Sequence, residues 1–286
     1  MDQANAELLG TIGRRRPMSI SAKGVAVVTG ASAGIGAIYA DRLARRGYDL
    51  ILVGRNSARL EDVSGRIAGA TGRVVRTIAA DLNDKADLQR LETLLTTDPA
   101  ITLLVNNAGV GALEPLLQSK VDAMEAMIDI NVTALTRLTY AVAPAFVARG
   151  RGAIINIGSV VAIAPEVLNG VYGATKAYVL ALSLSLHKEL AARNVRIQAV
   201  LPGATATDFW SAAGGAVENL PSAIVMRPDD LVDAALAGFD QGEVVTIPAL
   251  ADIADWDAYE AARQKMMPNL SLSSVAPRYR RVAAAA

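Results

Sequence analysis

The sequence predicts an α/β fold in which a doubly wound parallel sheet of about seven strands carries helices on both faces. Two observations support this prediction. Short β-branched apolar runs alternate with helical patterns along the chain, with no internal repeat and no break between domains. Hydrophobic residues make up 52% of the 286 residues and aromatic residues only 4%. Such an aliphatic composition suits parallel strands that are covered on both faces.

The predicted elements follow each other in a regular order. The strands are predicted at 25–28, 50–53, 74–79, 101–105, 153–157, 195–201 and 244–247. The helices are predicted at 35–46, 57–70, 85–95, 121–148, 172–193 and 229–239. We expect residues 1–22 to be a flexible extension and residues 23–250 to be a single domain. Residues 251–286 are expected to be a helical tail that packs on that domain or on a neighbouring subunit.

Composition excludes several classes of function. The formal net charge is zero, so nothing favours nucleic acid or an anionic membrane surface as a partner. The chain has no cysteine, and its single histidine is His187, so we expect no disulfide and no metal site. No run of about 18 apolar residues lacks charges, so no membrane-spanning helix is expected. The arginines at 14–16 are not followed by the apolar segment of an export signal, which makes the cytoplasm the expected location.

A glycine-rich loop joins the first predicted strand to the first predicted helix. The segment TGASAGIG spans residues 29–36, and its glycines are Gly30, Gly34 and Gly36. Strand, glycine loop and helix in this order form a phosphate cradle, because backbone N–H groups at the helix start face the anion. The loop therefore predicts a Rossmann-type dinucleotide-binding fold, with the spacing G-x-x-x-G-x-G in place of G-x-G-x-x-G.

The end of the second predicted strand carries a basic residue where an acid would bind a ribose 2′-hydroxyl. Arg55 can pair with a 2′-phosphate, so the sequence favours NADP(H) over NAD(H). Arg55 can equally be a solvated loop charge, and Arg59 and Arg73 compete for the phosphate role. Asp81, at the end of the third strand, has two interpretations: an adenine contact and the N-cap of the helix that begins at Lys85.

Two other strand ends carry turn residues. The sequence NNAG at 106–109 follows the fourth strand, and Pro202-Gly203 follows the sixth, ahead of Thr205 and Thr207. The carboxyl ends of central strands are where a dinucleotide lies in such a fold. Residues 207–225 are expected to form a mobile lid with apolar faces. The residues expected to line an apolar substrate pocket are Ile163, Val167, Leu168, Phe209 and Trp210.

The candidate catalytic residues follow the fifth strand. Tyr172 and Lys176 are four residues apart and share a face if their segment is helical, with the hydroxyl of Ser159 nearby. A cation against a phenol favours the phenolate. Lowering the tyrosine pKa by ~3 units requires ~4 kcal/mol, and one charge ~4 Å away supplies about that much at an effective dielectric of ~20. Asn131, inside a long apolar helical stretch, indicates either a polar role or a buried hydrogen bond.

Together these motifs resemble the short-chain dehydrogenase/reductase family, over residues 24–247. The resemblance rests on TGxxxGxG at 29–36, NNAG at 106–109, Asn131, Ser159, YxxxK at 172–176 and PG followed by threonines at 202–207. Within the family, the segments GRGAIINIGS, VYGATKAYVLALS and PGATATDFW look most like the DltE-like group of uncharacterised oxidoreductases.

The resemblance implies roles for these positions. Tyr172 would be the general acid/base, and Lys176 would lower its pKa and hold the nicotinamide ribose. Ser159 would bind the substrate oxygen, and Asn131 would support a proton relay through water. Ala33 occupies a position where many NADP-using members have a basic residue. Arg55 is therefore the residue on which the preference for NADP(H) over NAD(H) rests.

The resemblance also implies how the cofactor is held. Asp81 would meet the adenine, Asn107 and Gly109 the cofactor ribose, and Thr205 the nicotinamide amide. The full set of expected cofactor-binding residues is Thr29, Gly30, Ser32, Ala33, Gly34, Ile35, Gly36, Arg55, Asp81, Leu82, Asn107, Ala108, Gly109, Tyr172, Lys176, Pro202, Gly203 and Thr205.

The function implied by the resemblance is that of an NADP(H)-dependent oxidoreductase that interconverts a carbonyl and a secondary alcohol by hydride transfer. The substrate is expected to be an apolar small molecule. Association through the helices 121–148 and 172–193, as a homodimer or a homotetramer, is also implied. The alternative is a catalytically silent NADP(H)-binding sensor or scaffold, for which an intact set of proton-transfer residues has no evident use.

Overall fold

The structure, a computed structural model, describes residues 22–280, and these fall into two units that divide between Pro248 and Ala249. The predicted N-terminal extension at 1–22 lies outside the described residues, apart from Ala22. The first unit contains the whole sheet and the glycine-rich loop. The second unit contains one helix and short turns.

The first unit is built on a sheet of seven parallel strands in the order β3-β2-β1-β4-β5-β6-β7. The strands are β1 (Val25–Thr29), β2 (Asp49–Gly54), β3 (Val75–Ala79), β4 (Ile101–Asn106), β5 (Gly152–Ile157), β6 (Val195–Val200) and β7 (Val245–Thr246). The predicted α/β fold and its strand number are confirmed. The last strand is shorter than the predicted 244–247, because it pairs with β6 only at Ala199 and Val200.

Nine helices, counted over the described residues, join and cover these strands. They are α1 (Gly34–Arg45), α2 (Ser57–Thr71), α3 (Lys85–Thr97), α4 (Val121–Ile128), α5 (Leu135–Arg149), α6 (Gly170–Leu190), α7 (Phe209–Ala212), α8 (Pro228–Gln241) and α9 (Ile253–Met266). Short 3-10 turns occur between several of them, including Val160–Ala162 and Pro165–Val167 after β5.

The core has two halves, one on each face of the sheet. Side chains alternate between faces along a strand, so Ala26 and Val28 of β1 belong to one half while Val25 and Val27 belong to the other. The first half contains buried residues of α1, α2 and α8, and the second contains those of α3, α5 and α6. Burial on both faces explains why the strands are nearly continuous apolar runs.

The predicted helix at 121–148 is interrupted near its middle. A π-helical turn at Asp129–Ala134 separates α4 from α5. By length and mean hydropathy the whole stretch, Val121–Arg149, could cross a membrane. Its buried residues, among them Leu138, Val142 and Phe146, pack into the second half of the core, as expected of the core helix of an α/β domain.

A cluster of charges joins α1 to α8. The guanidinium of Arg42 donates to Asp233 at 2.7 Å and to Asp229 at 2.9 Å, both on α8, and to its neighbour Asp41 at 2.8 Å. Burial is partial, with 27% of the Arg42 side chain exposed, so screening by solvent limits its contribution to stability. The cluster fixes the carboxyl-terminal half of α1, whose first turn follows the glycine-rich loop.

The second unit consists of α9 and the turns that follow it. Asp252 caps α9 by accepting from the N–H of Ala254 at 2.9 Å. The rings of Trp256 and Tyr259 lie 5.4 Å apart on the same helix. The predicted packing of this tail on the domain or on a neighbouring subunit stays a prediction.

The order of the strands locates the site. The chain proceeds outward from β1 to β3 and then returns to the other side of β1 with β4, so the winding reverses between β1 and β4. A crevice forms outside the carboxyl ends of the strands at such a reversal. The glycine-rich loop after β1 and the NNAG turn after β4 meet at this point.

Candidate active site

The glycine-rich loop leaves no room for side chains at two of its positions. Gly30 has φ +66°, and a Cβ atom there would lie 2.8 Å from the side-chain nitrogen of Asn107. A Cβ atom on Gly36 would lie 2.3 Å from the carbonyl oxygen of Gly30. The backbone therefore folds tightly against itself, which presents main-chain groups, not side chains, at the surface of the crevice.

The start of α1 suits an anion. Its N-cap residue is Ala33, which provides no side-chain hydrogen bond, and the first turn contains no acidic residue. The first N–H groups of a helix lack partners within the helix, and the helix dipole favours negative charge there. A dinucleotide pyrophosphate fits this position. Ile35 in this turn packs against the first half of the core.

Two of the predicted cofactor residues join the ends of β1 and β4. The hydroxyl of Thr29 accepts from the N–H groups of Asn107 and Ala108, each at 3.0 Å. The side-chain amide of Asn107 donates to the carbonyls of Thr29 at 2.9 Å and Gly30 at 3.2 Å. These contacts hold the glycine loop and the NNAG turn together, so both side chains position the cradle. A direct cofactor contact by either stays a prediction.

Two of the three candidate arginines follow β2, and the third precedes β3. Arg55 directly follows β2, is exposed, and makes no hydrogen bond or ion pair within residues 22–280. Arg59, in the first turn of α2, lies 3.8 Å from Asp208. Arg73 precedes β3 and donates to the carbonyl of Gly47 at 3.3 Å. Arg73 is therefore at the amino ends of the strands, and the hypothesis that it competes for a 2′-phosphate was wrong.

The structure corrects one interpretation of Asp81. The N-cap of α3 is Asp84, whose carboxylate accepts from the N–H groups of Ala86 and Asp87 at 2.9 Å each. Asp81 instead accepts from the N–H of Asn83 at 3.0 Å, which fixes the turn after β3. Asp81 lies three residues before the N-cap position, so its side chain does not cap α3. The neighbouring Leu82 is buried in the second half of the core.

The other predicted cofactor residues lie at the same carboxyl edge. Ser32 faces the end of β2, since a Cβ on Gly54 would lie 3.5 Å from its hydroxyl. The carbonyl of Pro202 accepts from the N–H of Val160 at 2.9 Å. Thr205 donates its hydroxyl to the carbonyl of Gly203 at 3.1 Å. The segment after β6 is thus tied to the segment after β5.

The helix that carries Tyr172 and Lys176 begins at a strong cap. Asn169 accepts from the N–H groups of Val171 at 2.9 Å and Tyr172 at 3.3 Å. It also donates to the carbonyl of Glu114 at 2.5 Å. Sequence analysis did not single out Asn169, although asparagine is among the preferred N-cap residues and stands just before the helical pattern.

Tyr172 and Lys176 share the buried face of α6, as their spacing predicts. Their exposed fractions are 6% and 7%. The ammonium of Lys176 lies 5.8 Å from the centre of the Tyr172 ring and donates to the carbonyl of Ile157 at 3.0 Å. A Cβ on Gly109 would lie 3.6 Å from this ammonium, so the NNAG turn lies next to α6, which we call the catalytic helix.

Asn131 is held in the π-helical turn by hydrogen bonds. Its oxygen accepts from the N–H of Val110 at 2.9 Å, and its nitrogen donates to the carbonyl of Val110 at 2.9 Å. The same nitrogen donates to the hydroxyl of Thr175 at 3.0 Å. Thr175, which sequence analysis missed, donates in turn to the carbonyl of Tyr172. Asn131 therefore links the turn after β4 to α6, and the proton relay through it stays a prediction.

Ser159 lies between the catalytic helix and the segment after β6. Its hydroxyl is within 3.4 Å of the carbonyl of Pro202 and accepts from the N–H of Val161 at 3.3 Å. A hydrogen bond with the phenol of Tyr172 lowers the pKa of that phenol. Ser159 is 8% exposed, so both hydroxyls of the site are shielded from water.

Burial dominates the electrostatics of the site. Desolvation raises the pKa of Tyr172 to about 12, against the smaller effect of Ser159. Desolvation lowers the pKa of Lys176 to about 8. The expected lowering of the Tyr172 pKa by the lysine is therefore not found in the chain alone, where removal of the phenolate from water raises this pKa and the opposing effect comes from Ser159. The site holds a neutral phenol.

An apolar wall surrounds the phenol ring. Buried Met124, Met127, Val161 and Tyr172 form a cluster against which further residues pack, including Leu168 and Phe209. Val167 is 64% exposed and does not belong to this wall, because its 3-10 turn presents it to solvent. Ile163 is partly buried outside the cluster. Trp210 is buried and donates from its ring nitrogen to the carbonyl of Thr205 at 2.9 Å.

A glycine cradle at the reversal of a parallel sheet, beside a buried tyrosine, lysine and serine, defines a nicotinamide-dependent oxidoreductase of the α/β class. A family model described as short chain dehydrogenase matches residues 24–217. The chain belongs to the short-chain dehydrogenase family and is an NAD(P)-dependent dehydrogenase or reductase. The DltE-like subgroup stays a prediction.

Individual relatives agree with this membership. The chain is 49% identical to a short-chain dehydrogenase from Sphingobium yanoikuyae in complex with NADPH, with a TM-score of 0.87 and coverage of 90% of this chain and 100% of that one. It is 42% identical to the bulky-bulky ketone specific alcohol dehydrogenase from Comamonas testosteroni, with a TM-score of 0.83 and coverage of 90% and 98%. An NADP-dependent 3-hydroxy acid dehydrogenase from Salmonella typhi is 35% identical over 80% of this chain and 92% of its own length. The NADPH complex of the first and the NADP dependence of the third agree with the expected NADP(H) cofactor.

Proposed function

We propose that the protein interconverts an apolar ketone and its secondary alcohol with NADP(H), and that Tyr172 transfers the proton. One observation carries this proposal. The ammonium of Lys176 adjoins Gly109 of the NNAG turn, and Asn107 of that turn is bonded to the glycine-rich loop. The proton-transfer residues and the dinucleotide cradle are therefore parts of one continuous site.

The residues present fit a dinucleotide. The uncapped start of α1, at Ala33 and Gly34, suits the pyrophosphate, and the exposed Gly109 leaves backbone open beside Lys176. Arg55 and Arg59, after β2, are the cations available for a 2′-phosphate. When bound, the nicotinamide supplies or accepts the hydride that the protein's own side chains cannot provide.

The phenol of Tyr172 acts on the substrate oxygen. In the reduction, the carbonyl carbon gains a hydride, and Tyr172 gives its proton to the oxygen while the hydroxyl of Ser159 donates to the same oxygen. A phenol with a pKa of about 12 is protonated throughout the neutral range, which suits proton donation. In the oxidation the phenolate must form first, so we expect the oxidation to require a higher pH than the reduction.

Lys176 orders the site through its position. Its ammonium bonds to the carbonyl of Ile157 at the end of β5, one turn from the phenol on the same helix. We infer that it holds the nicotinamide ribose and stabilises the phenolate as that anion forms. The positive charge has this effect only while the lysine is protonated, below its pKa of about 8.

The substrate is proposed to be a bulky apolar ketone. The apolar part of the surroundings of the phenol consists of methionine, valine, leucine and phenylalanine side chains. The similar Comamonas protein is a bulky-bulky ketone specific alcohol dehydrogenase. The preference for NADP(H) is supported by Arg55 and by the NADPH complex of the Sphingobium relative.

The experiment is the substitution Tyr172→Phe, assayed by NADPH-dependent reduction of a panel of aryl and alkyl ketones. We expect a loss of about a thousandfold or more in kcat, since general acid catalysis contributes roughly 10²–10⁴-fold. NADPH binding, measured by fluorescence, should change little. The matched control is Tyr178→Phe on the same helix, whose hydroxyl bonds to Thr136 on the surface.

Retained turnover in Tyr172→Phe, with the control unchanged, would refute the proton-transfer role. If the unmodified protein binds NADPH but reduces no ketone in the panel, the silent sensor or scaffold becomes the better description. Association as a homodimer or homotetramer and a cytoplasmic location both stay predictions.

A further inference from the structure

The segment after β6 covers the crevice and is held down near its start. We call residues 207–225 the lid segment. Its first residue, Thr207, lies against the glycine-rich loop, since a Cβ on Gly34 would be 3.4 Å from the Thr207 methyl group. Farther along, a Cβ on Gly215 would be 2.4 Å from a methyl group of Leu113. The lid segment thus contacts both the cofactor cradle and the turn after β4.

Phe209 of the lid segment is inserted between the turn after β4 and the catalytic helix. A Cβ on Gly111 would lie 2.2 Å from the tip of the Phe209 ring. The ring centre is 5.8 Å from that of Tyr172, with the planes tilted by 43°. The ring fills a slot that exists because residue 111 has no side chain.

The Phe209 ring lies beside the ring that carries one of the two reacting hydroxyls, and both of these residues are buried. Tyr172 is 6% exposed and Ser159 is 8% exposed. A carbonyl oxygen must touch both hydroxyls to be reduced, which requires it to enter the space beside the phenol. Phe209 packs against the cluster that lines this space, and we infer that its ring leaves the slot when a ketone binds.

We propose that Phe209 occupies the subsite for the substrate's own ring, and that the protein selects ketones with an aromatic ring next to the carbonyl. This inference rests on the proposed function. The incoming ring takes the place of Phe209 between Gly111 and Tyr172, so the apolar contacts of the slot are exchanged and not lost. A small alkyl ketone displaces Phe209 too, but it leaves the slot empty, and an unfilled apolar slot is unfavourable.

The first test compares acetophenone with acetone in Gly111→Ala. The added methyl group occupies the place that the acetophenone ring needs. We therefore expect kcat/KM for acetophenone to fall at least about tenfold relative to kcat/KM for acetone. Apolar pockets discriminate between substrates in this range. The matched control is Gly215→Ala, which adds the same methyl group to the lid segment but directs it against Leu113, away from the slot. Its ratio of the two ketones should stay within about twofold.

The second test measures ring binding without turnover. The ring of Trp210 meets that of Phe209 edge-on at 5.9 Å, so its emission reports on the slot once the other tryptophan is removed by Trp256→Phe. In this background we expect toluene to bind Phe209→Ala at least about tenfold more tightly than it binds the chain with Phe209. This titration uses no ketone, so it tests the subsite even if no ketone is reduced.

Each result has a definite meaning. Equal losses for both ketones in Gly111→Ala, or equal toluene affinity with and without Phe209, would overturn the subsite. A positive toluene result with no ketone reduction would retain the ring subsite and reject the proposed reaction.

Discussion

Lys176 places an ammonium among apolar neighbours, where burial lowers its pKa from 10.5 to about 8. Between these values the unfolded chain binds a proton that the folded chain does not, so folding stability should rise with pH across this window. Below about pH 8 both states hold the proton, and the folded state bears the full desolvation penalty. At about 1.36 kcal/mol per pKa unit, that penalty is about 3 kcal/mol.

The substitution Lys176→Met removes this penalty together with the hydrogen bond to Ile157. We expect the variant to be more stable than the parent at pH 7 by about 2 kcal/mol, because a lost hydrogen bond offsets roughly 1 kcal/mol. Urea unfolding at pH 7 and pH 10 measures the difference, which should shrink or reverse at pH 10. The control is Lys188→Met, at an exposed position of α6. A difference that does not vary with pH would contradict the account.

At the residue scale, the sequence predicted which residues form the site better than it predicted their pKa values and hydrogen bonds. The spacing of Tyr172 and Lys176 places both on the buried face of α6 because helical periodicity is a local property. The direction of the Tyr172 pKa shift was predicted wrongly, because burial depends on α4, the lid segment and other parts far away in the chain. Asn131 was expected to support a proton relay and Thr29 to bind the cofactor, but their hydrogen bonds inside the protein depend on contacts that spacing does not reveal.

At the scale of elements, α6 depends on the bond network at its first turn. Asn169 caps the N–H groups of Val171 and Tyr172 and also donates to Glu114 in the turn after β4. Sequence patterns predict such a helix well, whereas the π-helical turn at Asp129–Ala134 was not predicted. A single π-helical turn is too short to leave a distinct apolar pattern in the sequence. In the structure, Asn131 within this turn bonds to Val110 and Thr175, which lie far away in the chain.

The substitution Asn169→Ala should destabilise the protein by about 1 kcal/mol through the lost cap. It should also lower kcat for ketone reduction about tenfold, because the capped turn fixes the backbone of Tyr172. Asn169→Asp retains the acceptor and should recover most of the stability. Asp84→Ala removes the equivalent cap of α3 and serves as the comparison in unfolding and kinetic assays. If both alanine variants lose the same activity, the cap has no specific influence on Tyr172.

At the scale of the whole molecule, the two ends of the parallel strands form two separate edges of the sheet, a carboxyl edge and an amino edge, and these carry different residues. The glycine loop, the NNAG turn and Ser159 follow the carboxyl ends of the strands. A cavity of about 290 Å³ lies at the amino ends of β6 and β7, lined by residues that include His187, Arg196 and Glu243. The alternation of strands and helices predicted a parallel sheet from sequence. The strand order came from the structure, because which strands become neighbours is decided by helix packing across the whole domain.

The thermal stabilisation of the protein by NADPH tests which of the two edges binds the cofactor. At 100 times its dissociation constant a ligand stabilises the folded state by about 2.7 kcal/mol. We expect Arg55→Ala, at the carboxyl edge, to weaken NADPH about tenfold and reduce the thermal shift that NADPH produces, while the shift with NADH changes little. Arg73→Ala, at the amino edge, should leave both shifts as they are. Equal effects of the two substitutions would remove Arg55 from the phosphate site, and Arg59→Ala then tests the remaining cation.

The group of carboxylates around Arg42 ties α1 to α8 on the side of that helix remote from the cradle. Arg42 is eight residues beyond Gly34, about 12 Å along the helix axis, so these charges are connected to the pyrophosphate position through the helix and not through contact. We therefore expect an exchange of surface charges on α8 to alter the affinity for the coenzyme, although every residue that contacts the coenzyme stays the same.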